Sequence, residues 1–328
     1  MSAKKAAARK KPVKAIYGRV ALVGIGLIGS SIARAARAAG IAGHVACWSR
    51  SAATRNAARR LKICDSVHDV LPAAVEGADL VILCAPIGAN AELAQAIRPA
   101  LKGGATVSDV GSVKEAVLRD VGPHIPKGVH FIPGHPVAGT EHSGPEAGFA
   151  ELFRQRWCIL TPPQGTDPAA LARLAEFWRA LGSKVEVMDP AHHDRVLAVT
   201  SHLPHLLAYT IVGTVTDLED HLRQEAADAG HMIGRSEVVK FSAGGFRDFT
   251  RIAASDPVMW RDVFLNNREA VLEMLGRFTE DLSALQRAIR WGEGDKLETL
   301  FRRTREIRRG VIEAGQAGTF KPTEEKKK

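Results

Sequence analysis

Short apolar runs alternate with helical stretches over the first half of the chain. Arg19–Val23 is an apolar run that ends at a glycine, and Leu27–Ala39 is Ala/Ile-rich and closes on Gly40, which predicts a strand followed by a helix. His44–Trp48 predicts a second strand, and the Ala/Arg segment to about Arg60 a second helix. Asp79–Cys84 is continuously apolar after its first residue, as in a strand buried on both faces. Ala91–Ala100 reads as helix, and Ala105–Asp109 and Val129–Ile132 read as further strands. Trp157–Leu160 and Lys184–Val187 add two more, flanking a helix from about Pro168 to Leu181. Such alternation predicts an α/β fold with a doubly wound parallel sheet of the Rossmann type. After Asp189 the strand signals stop, and Val, Leu and Ile recur at helical spacing to about residue 309. The expected organisation is a dinucleotide-binding domain over 16–189 and an all-helical domain over 190–312. Disordered tails are expected at 1–15 and 313–328, and no internal repeat is visible.

Composition narrows the function class. Hydrophobic residues make up 45% and charged residues 25%, as in a soluble globular protein, but aromatics are only 5%, so Ala, Val, Leu and Ile must build the core. The net charge of +9 comes mostly from Lys4, Lys5, Arg9, Lys10, Lys11 and Lys14 and from the lysines of the last eight residues. A near-neutral body gives no basic face for nucleic acid, and the Arg-rich last helix also carries Glu298 and Glu306, so it reads as a solvated face. No apolar run approaches the roughly 18 residues that span a bilayer, and the N-terminus lacks the apolar core of a secretory signal. Cys47, Cys64, Cys84 and Cys158 are far apart without a CxxC, which points to reduced thiols and a cytoplasmic protein.

The candidate chemistry begins at Gly24-Ile25-Gly26-Leu27-Ile28-Gly29, a GxGxxG set between the first strand and the first helix. Gly24 permits the tight turn, Gly26 lets a pyrophosphate approach the backbone, and Gly29 lets helix and strand pack closely. The N–H groups of the helix start, at Leu27 and Ile28, then face the phosphates. The second strand ends in Trp48-Ser49-Arg50-Ser51, with no acidic residue to hold the ribose 2′-OH of NAD. Ser49, Arg50 and Ser51, with Arg55 as helper, suit a 2′-phosphate instead, which favours NADP over NAD. Ala85 and Pro86 after the next buried strand, with Asp109 and Ser112 further on, complete the expected cofactor contacts.

Three more segments carry polar residues that packing does not need: Ser108–Lys114, Pro133–Glu141 and Ser201–His205. With the glycine loop, with Ser143-Gly144, and with Gly244–Arg251 continued by Asp256–Trp260, the sequence resembles the prephenate/arogenate (cyclohexadienyl) dehydrogenase family of tyrosine biosynthesis from about residue 20 to 267. The resemblance implies oxidative decarboxylation of prephenate or arogenate. Hydride passes from ring C4 to a nicotinamide while the ring carboxylate leaves as CO2. It also implies that the helical domain is a dimerisation domain, so that the chain is a homodimer acting on a small molecule, with neither nucleic acid nor membrane as partner.

His135 fits the task of polarising the 4-hydroxyl, since neutral imidazole accepts a proton near pH 7, with Gly134 and Pro136 fixing its backbone in a loop. Ser112 resembles the family serine that bonds both the hydroxyl and this histidine, and it also suits a helix N-cap. Arg251 suits a substrate carboxylate through its planar fork. His205 resembles the family histidine that helps bind the side chain, with His202 one turn away. Pro204 removes a helical hydrogen bond and should bend this helix near Thr200. Thr140 and Glu141 resemble substrate-contacting or gating residues, Arg247 and Asp248 a pair contributed across the subunit interface, and Trp260 either contributes a contact or packs. A metal held by His192, His193, His202 and His205 is weighed and set aside, because the spacing matches no zinc pattern and hydride transfer needs none. Two other readings remain. A 3-hydroxyacid dehydrogenase would need a catalytic lysine in the helical half, where Lys240 is the only lysine between residues 185 and 295. A non-catalytic nicotinamide-binding regulator would be expected to lack His135 or Ser112.

Overall fold

The computed structural model describes residues 14–140, 142–229 and 243–313. Both expected tails lie largely outside the described residues, and Glu141 lies outside them too. Six strands form one parallel sheet: β1 (Tyr17–Val23), β2 (Ala42–Trp48), β3 (Ser66–Val67), β4 (Leu80–Leu83), β5 (Thr106–Asp109) and β6 (His130–Phe131). Their order, β3-β2-β1-β4-β5-β6, is the dinucleotide-binding order, with the chain reversing direction across the sheet between β1 and β4. The alternation of strand side chains explains why both faces are apolar. Val20 and Leu22 of β1 and Leu80 and Ile82 of β4 enter one core, while Ala21, Val23, Val81 and Leu83 enter the other.

Five helices wrap this sheet: α1 (Leu27–Ala39), α2 (Ala52–Arg60), α3 (Leu71–Val75), α4 (Asn90–Ile97) and α5 (Lys114–Val121). α1 has the limits its sequence predicts, because Gly40 takes a left-handed conformation (φ 67°) and returns its N–H to the carbonyls of Ala36 and Arg37. β3 and α3 are too short to show a period in the sequence.

The next strands depart from expectation. Trp157–Leu160 (β8) and Lys184–Val187 (β9) form strands as read, but in a separate three-stranded sheet with β7 (Gly134–Pro136). β7 pairs antiparallel with β8, His135 opposite Ile159, so His135 sits in a strand and not in the expected loop. Gly-His-Pro carries no apolar alternation, and Pro136 is tolerated because β7 is an edge strand. α6 (Pro168–Ala180) brings Leu174, Phe177 and Trp178 to the first core, where Trp178 meets Phe153 edge-on at 5.4 Å.

Beyond this sheet the elements are helical: α7 (Pro190–Leu197), a π turn over Ala198–His202, α8 (Leu203–Asp228), α9 (Gly244–Thr250), a short 3-10 turn at Arg251–Ala254 and α10 (Pro257–Asn266). The helix is disturbed near Thr200, ahead of Pro204: it widens to a π turn in which Leu203 N–H bonds back to the Ala198 carbonyl. Asp-Pro pairs open α6, α7 and α10, with Asp167, Asp189 and Asp256 each capping a backbone N–H of the first turn. Pro190–Asp228 is a 39-residue helical run long and apolar enough, by length and composition alone, to cross a membrane, which the shorter apolar stretches of the sequence do not announce. It nevertheless holds His193, Asp194 and His202 fully or almost fully buried, and α7 packs on α5. A second compact unit starts at Leu272 and contains most of α11 (Arg268–Arg290) and α12 (Gly294–Glu313). Leu282, Ile289, Trp291, Phe301 and Ile307 are exposed within it.

Candidate active site

The glycine loop joins β1 to α1 at the switch point of the sheet, and its three glycines are required for different reasons. Gly24 has φ +107°, and a Cβ there would lie 2.4 Å from the carbonyl oxygen of Cys84. A Cβ on Gly29 would lie 2.2 Å from the carbonyl oxygen of Gly24. Gly26, by contrast, would meet no described atom within 4 Å. Protein packing thus demands glycine at 24 and 29, whereas the bare backbone at 26 faces open space at the uncapped start of α1. That is the cradle a pyrophosphate needs. The segment after β7 returns to this helix: Phe149 N–H donates to Ser31 Oγ at 3.1 Å, and Gly148 passes so close that a Cβ would lie 2.0 Å from Ser30 Oγ.

At the end of β2, Arg50 is exposed, and Ser51 caps α2 by accepting from Thr54 N–H at 3.3 Å. Arg55, expected to help with a phosphate, is used differently. Its guanidinium donates to the carbonyls of Ser49 (2.7 Å) and Arg50 (3.0 Å) and to Asp69 (2.8 Å). It shapes the turn and leaves Arg50 as the cation at its tip.

Asp109 ends β5 and is buried, and its carboxylate is filled by the protein itself. It accepts from Lys114 Nζ (2.6 Å), Gly111 N–H (2.7 Å) and Gly134 N–H (3.0 Å), while Lys114 also donates to the Gly134 carbonyl (2.6 Å). Asp109, expected as a cofactor contact, also anchors β7 through the Gly134 N–H, one residue before His135. Lys114 has no exposed surface; burial pulls its amine below the usual lysine range, and the Asp109 charge opposes that pull.

His135 Nδ1 lies 2.9 Å from His193 Nε2, and His193 Nδ1 lies 2.8 Å from Asp194 Oδ1. Asp194 also caps α5, accepting from Lys114 N–H (2.7 Å) and Glu115 N–H (2.9 Å). Ser112 is therefore not the cap of α5, and its half-buried hydroxyl has no hydrogen bond among the described residues. Burial holds His135 well below the ordinary imidazole range, with His193, Lys114 and His202 adding to the shift. Burial also lowers His193, against the Asp194 hydrogen bond. Burial thus favours the neutral form of both rings.

A second pair stands on the helical side. Asn267 Nδ2 lies 2.9 Å from the Asp194 carbonyl and 3.0 Å from His202 Nδ1. A carbonyl only accepts, so the Asn267 NH2 faces it and also faces His202. His202 Nδ1 accepts, which puts the proton on Nε2, a buried donor without a partner among the described residues. Burial pushes the His202 pKa down to about 4. His205 donates from Nδ1 to the Ser201 carbonyl (2.9 Å) and stacks on Trp260 with ring centroids 3.6 Å apart. Burial lowers its pKa against the Ser201 hydrogen bond, and the charge of Arg251, in the 3-10 turn that packs on α8, lowers it further.

The structure thus brings His135, His202, His205, Arg251 and Trp260 into one neighbourhood and adds His193, Asp194, Lys114 and Asn267, which sequence reasoning did not assign to the site. Thr140, Arg247 and Asp248 are exposed; Thr140 Oγ1 accepts from His142 N–H at 3.2 Å, and among the described residues no hydrogen bond ties the three to His135, His193, His202 or His205. No group of three or more His, Cys, Asp or Glu able to hold a metal occurs among the described residues. The signal for the missed dyad was adjacent in sequence: His193-Asp194 on a helix opened by Asp189-Pro190.

Comparison with known proteins gives these features a context. Residues 32–187 match the prephenate dehydrogenase nucleotide-binding domain, and residues 189–303 the prephenate dehydrogenase dimerization domain. The chain is 41% identical over 293 residues to the cyclohexadienyl dehydrogenase of Zymomonas mobilis, covering 89% of this chain and 96% of that one. It superposes on the crystal structure of Aquifex aeolicus prephenate dehydrogenase in complex with hydroxyphenyl propionate and NAD+ with TM-score 0.80 and 32% identity, covering 90% and 98% of the two chains. For Synechocystis arogenate dehydrogenase the TM-score is 0.72 and the identity 28%, covering 89% and 99%.

Proposed function

The chain belongs to the prephenate dehydrogenase family, and from that premise we propose that it oxidatively decarboxylates prephenate or arogenate in tyrosine biosynthesis, with NAD(P) as hydride acceptor. The observation that carries the reading is a buried neutral histidine, His135, on a strand that Asp109 and Lys114 fasten to the carboxyl end of β5, on the rim that also bears the glycine loop. Ligands of open α/β sheets bind at that rim.

The stoichiometry defines what the residues must do. Substrate loses hydride and CO2 and yields a phenol, with no net proton released. The 4-hydroxyl proton must be taken as C4 gains carbonyl character and returned as the ring becomes aromatic. His135 Nε2 accepts it and, being held below the ordinary imidazole range, gives it back readily. Ser112 orients the hydroxyl. Arg251 holds a substrate carboxylate bidentately beside His205, and the unpartnered His202 Nε2–H offers a second donor. Bound at Gly24–Gly29 with its first-turn contacts at Leu27 and Ile28, the nicotinamide cofactor supplies the hydride acceptor. Ala85 and Pro86 line the same rim after β4. Ser49-Arg50 without an acidic neighbour supports NADP over NAD. Thr140 and Glu141 contact or gate the substrate, and Trp260 serves chiefly as the platform for His205.

We also infer a homodimer through the helical half, with Arg247 and Asp248 reaching the neighbouring site. Exposed Ile211, Val212, Leu218 and Leu222 on α8 support it, since apolar helix faces need a partner. The unpaired cysteines suit a reducing cytoplasm. The test is steady-state kinetics of prephenate and of arogenate, each with NAD and with NADP. Turnover of at least one pair is expected, and turnover of none overturns the reading.

A further inference from the structure

The ring nitrogen of His135 that faces the substrate is set by a residue outside the substrate site. An aspartate accepts and does not donate, so the His193 nitrogen 2.8 Å from Asp194 Oδ1 must be an N–H. A neutral imidazole carries one proton, so His193 Nε2 is a lone pair. The nitrogen 2.9 Å away, His135 Nδ1, must then carry its proton toward it. Asp194 is itself pinned by two backbone N–H groups at the start of α5, which leaves the chain one polarity. We propose that His193, backed by Asp194, is the positioning residue that fixes His135 in the Nδ1–H tautomer, leaving the Nε2 lone pair for the substrate hydroxyl and bracing the imidazolium while it holds the proton.

The inference rests on the reading of His135 as the base. No net bond is made or broken in the chain: the hydroxyl proton rests on His135 Nε2, the Nδ1–H leans toward His193, and both revert when the proton returns. Other charged or titratable groups facing the two rings do not compete for these hydrogen bonds. Lys114 donates to Asp109 and Gly134, His202 bonds Asn267, and Cys158 pairs with the β7 backbone.

Histidine 15N NMR of the full chain at neutral pH, assigned with His135→Asn and His193→Gln, reads the tautomer directly. A protonated Nδ1 and a bare Nε2 on His135 are expected, and the reverse pattern overturns the proposal. In His193→Phe, kcat should fall about 10²–10⁴-fold, the range that loss of an oriented base costs, with substrate KM within about threefold. The acidic limb should move to lower pH, because the imidazolium has lost its acceptor. His193→Gln, whose amide oxygen can still accept from Nδ1, should recover at least about tenfold of that loss. Wild-type kcat and an unmoved limb in His193→Phe overturn the proposal, as do equal losses in both variants with an unmoved limb. If His193→Phe does not fold, the NMR pattern and His193→Gln decide. A wild type that oxidises neither substrate while showing the expected tautomer overturns the function and leaves the positioning intact.

Discussion

The two ends of the site are built by opposite means. At the glycine loop the backbone does the work: Gly24 and Gly29 are bare because other backbone atoms occupy the space, whereas Gly26 faces open space where the proposed cofactor would lie. At the histidine end, side chains from β7, α7, the π turn, α10 and the residue after it converge, and each is held by another side chain or a carbonyl. The first end follows from spacing within six residues. The second exists only once elements far apart in the chain meet, as His135 and His193 do across 58 residues and Asp194 and Asn267 across 73.

The sharpest way to test this contrast is to remove the base. His135→Asn should lower kcat by about 10²–10⁴-fold with little change in KM, whereas Arg251→Ala should mainly raise KM. The wild-type kcat profile should fall at acid pH through a group below the ordinary histidine value of about 6.5, because burial disfavours the imidazolium. That limb should vanish in His135→Asn. An unchanged kcat would move the chemistry elsewhere, first to His205.

The same burial predicts a pH-dependent contribution to stability from the histidine end. His202 has a folded pKa of about 4, below its unfolded value, so the unfolded chain binds more protons between roughly pH 6.5 and 4. Stability is fully present above that window and is lost as pH falls through it, by about 3 kcal/mol for this group alone. His135 and His193 act in the same direction. Urea unfolding at pH 7.5 and pH 5 should show the loss, and His202→Gln should flatten it; an equal slope in that variant breaks the assignment.

At the other end, Gly26→Ala should weaken cofactor binding about tenfold or more while the melting temperature without cofactor stays within a few degrees. Gly29→Ala should lower both, because its Cβ meets a backbone oxygen. Calorimetric titration with thermal melts separates the two, and wild-type cofactor affinity in Gly26→Ala would refute the cradle. The smallest effect is expected at the adenosine edge. Arg50→Ala should reduce the NADP-over-NAD ratio of kcat/KM several-fold, and a wild type that uses NAD equally well removes the basis for that preference.

Legibility in the sequence follows the same division. Five of the six strands of the parallel sheet, the limits of α1 and the packing demand for glycine at 24 and 29 were readable because local period and turn chemistry determine them, whereas the two-residue β3 was not. β7 was not, since three residues reading Gly-His-Pro show no strand pattern and pair only with a segment more than 20 residues on. Lys114 read as one residue of a motif, and nothing local reveals that its ammonium is fully buried. Nothing local at Asp194 announces its two N–H partners, which lie about 80 residues earlier. Asp109 was recognised as special, but its bonds to Lys114 and to the Gly134 N–H were not legible, because they are fixed by the path of β7.

Asp194 carries a mutational consequence. One carboxylate both secures the start of α5 and gives the histidine chain its polarity. A substitution there strikes structural integrity and turnover together, so the position is closed to gradual tuning. Selection for a shifted pH optimum is expected to bypass residue 194 and accumulate changes around His202 and Asn267, where the aspartate is touched only through its main-chain carbonyl.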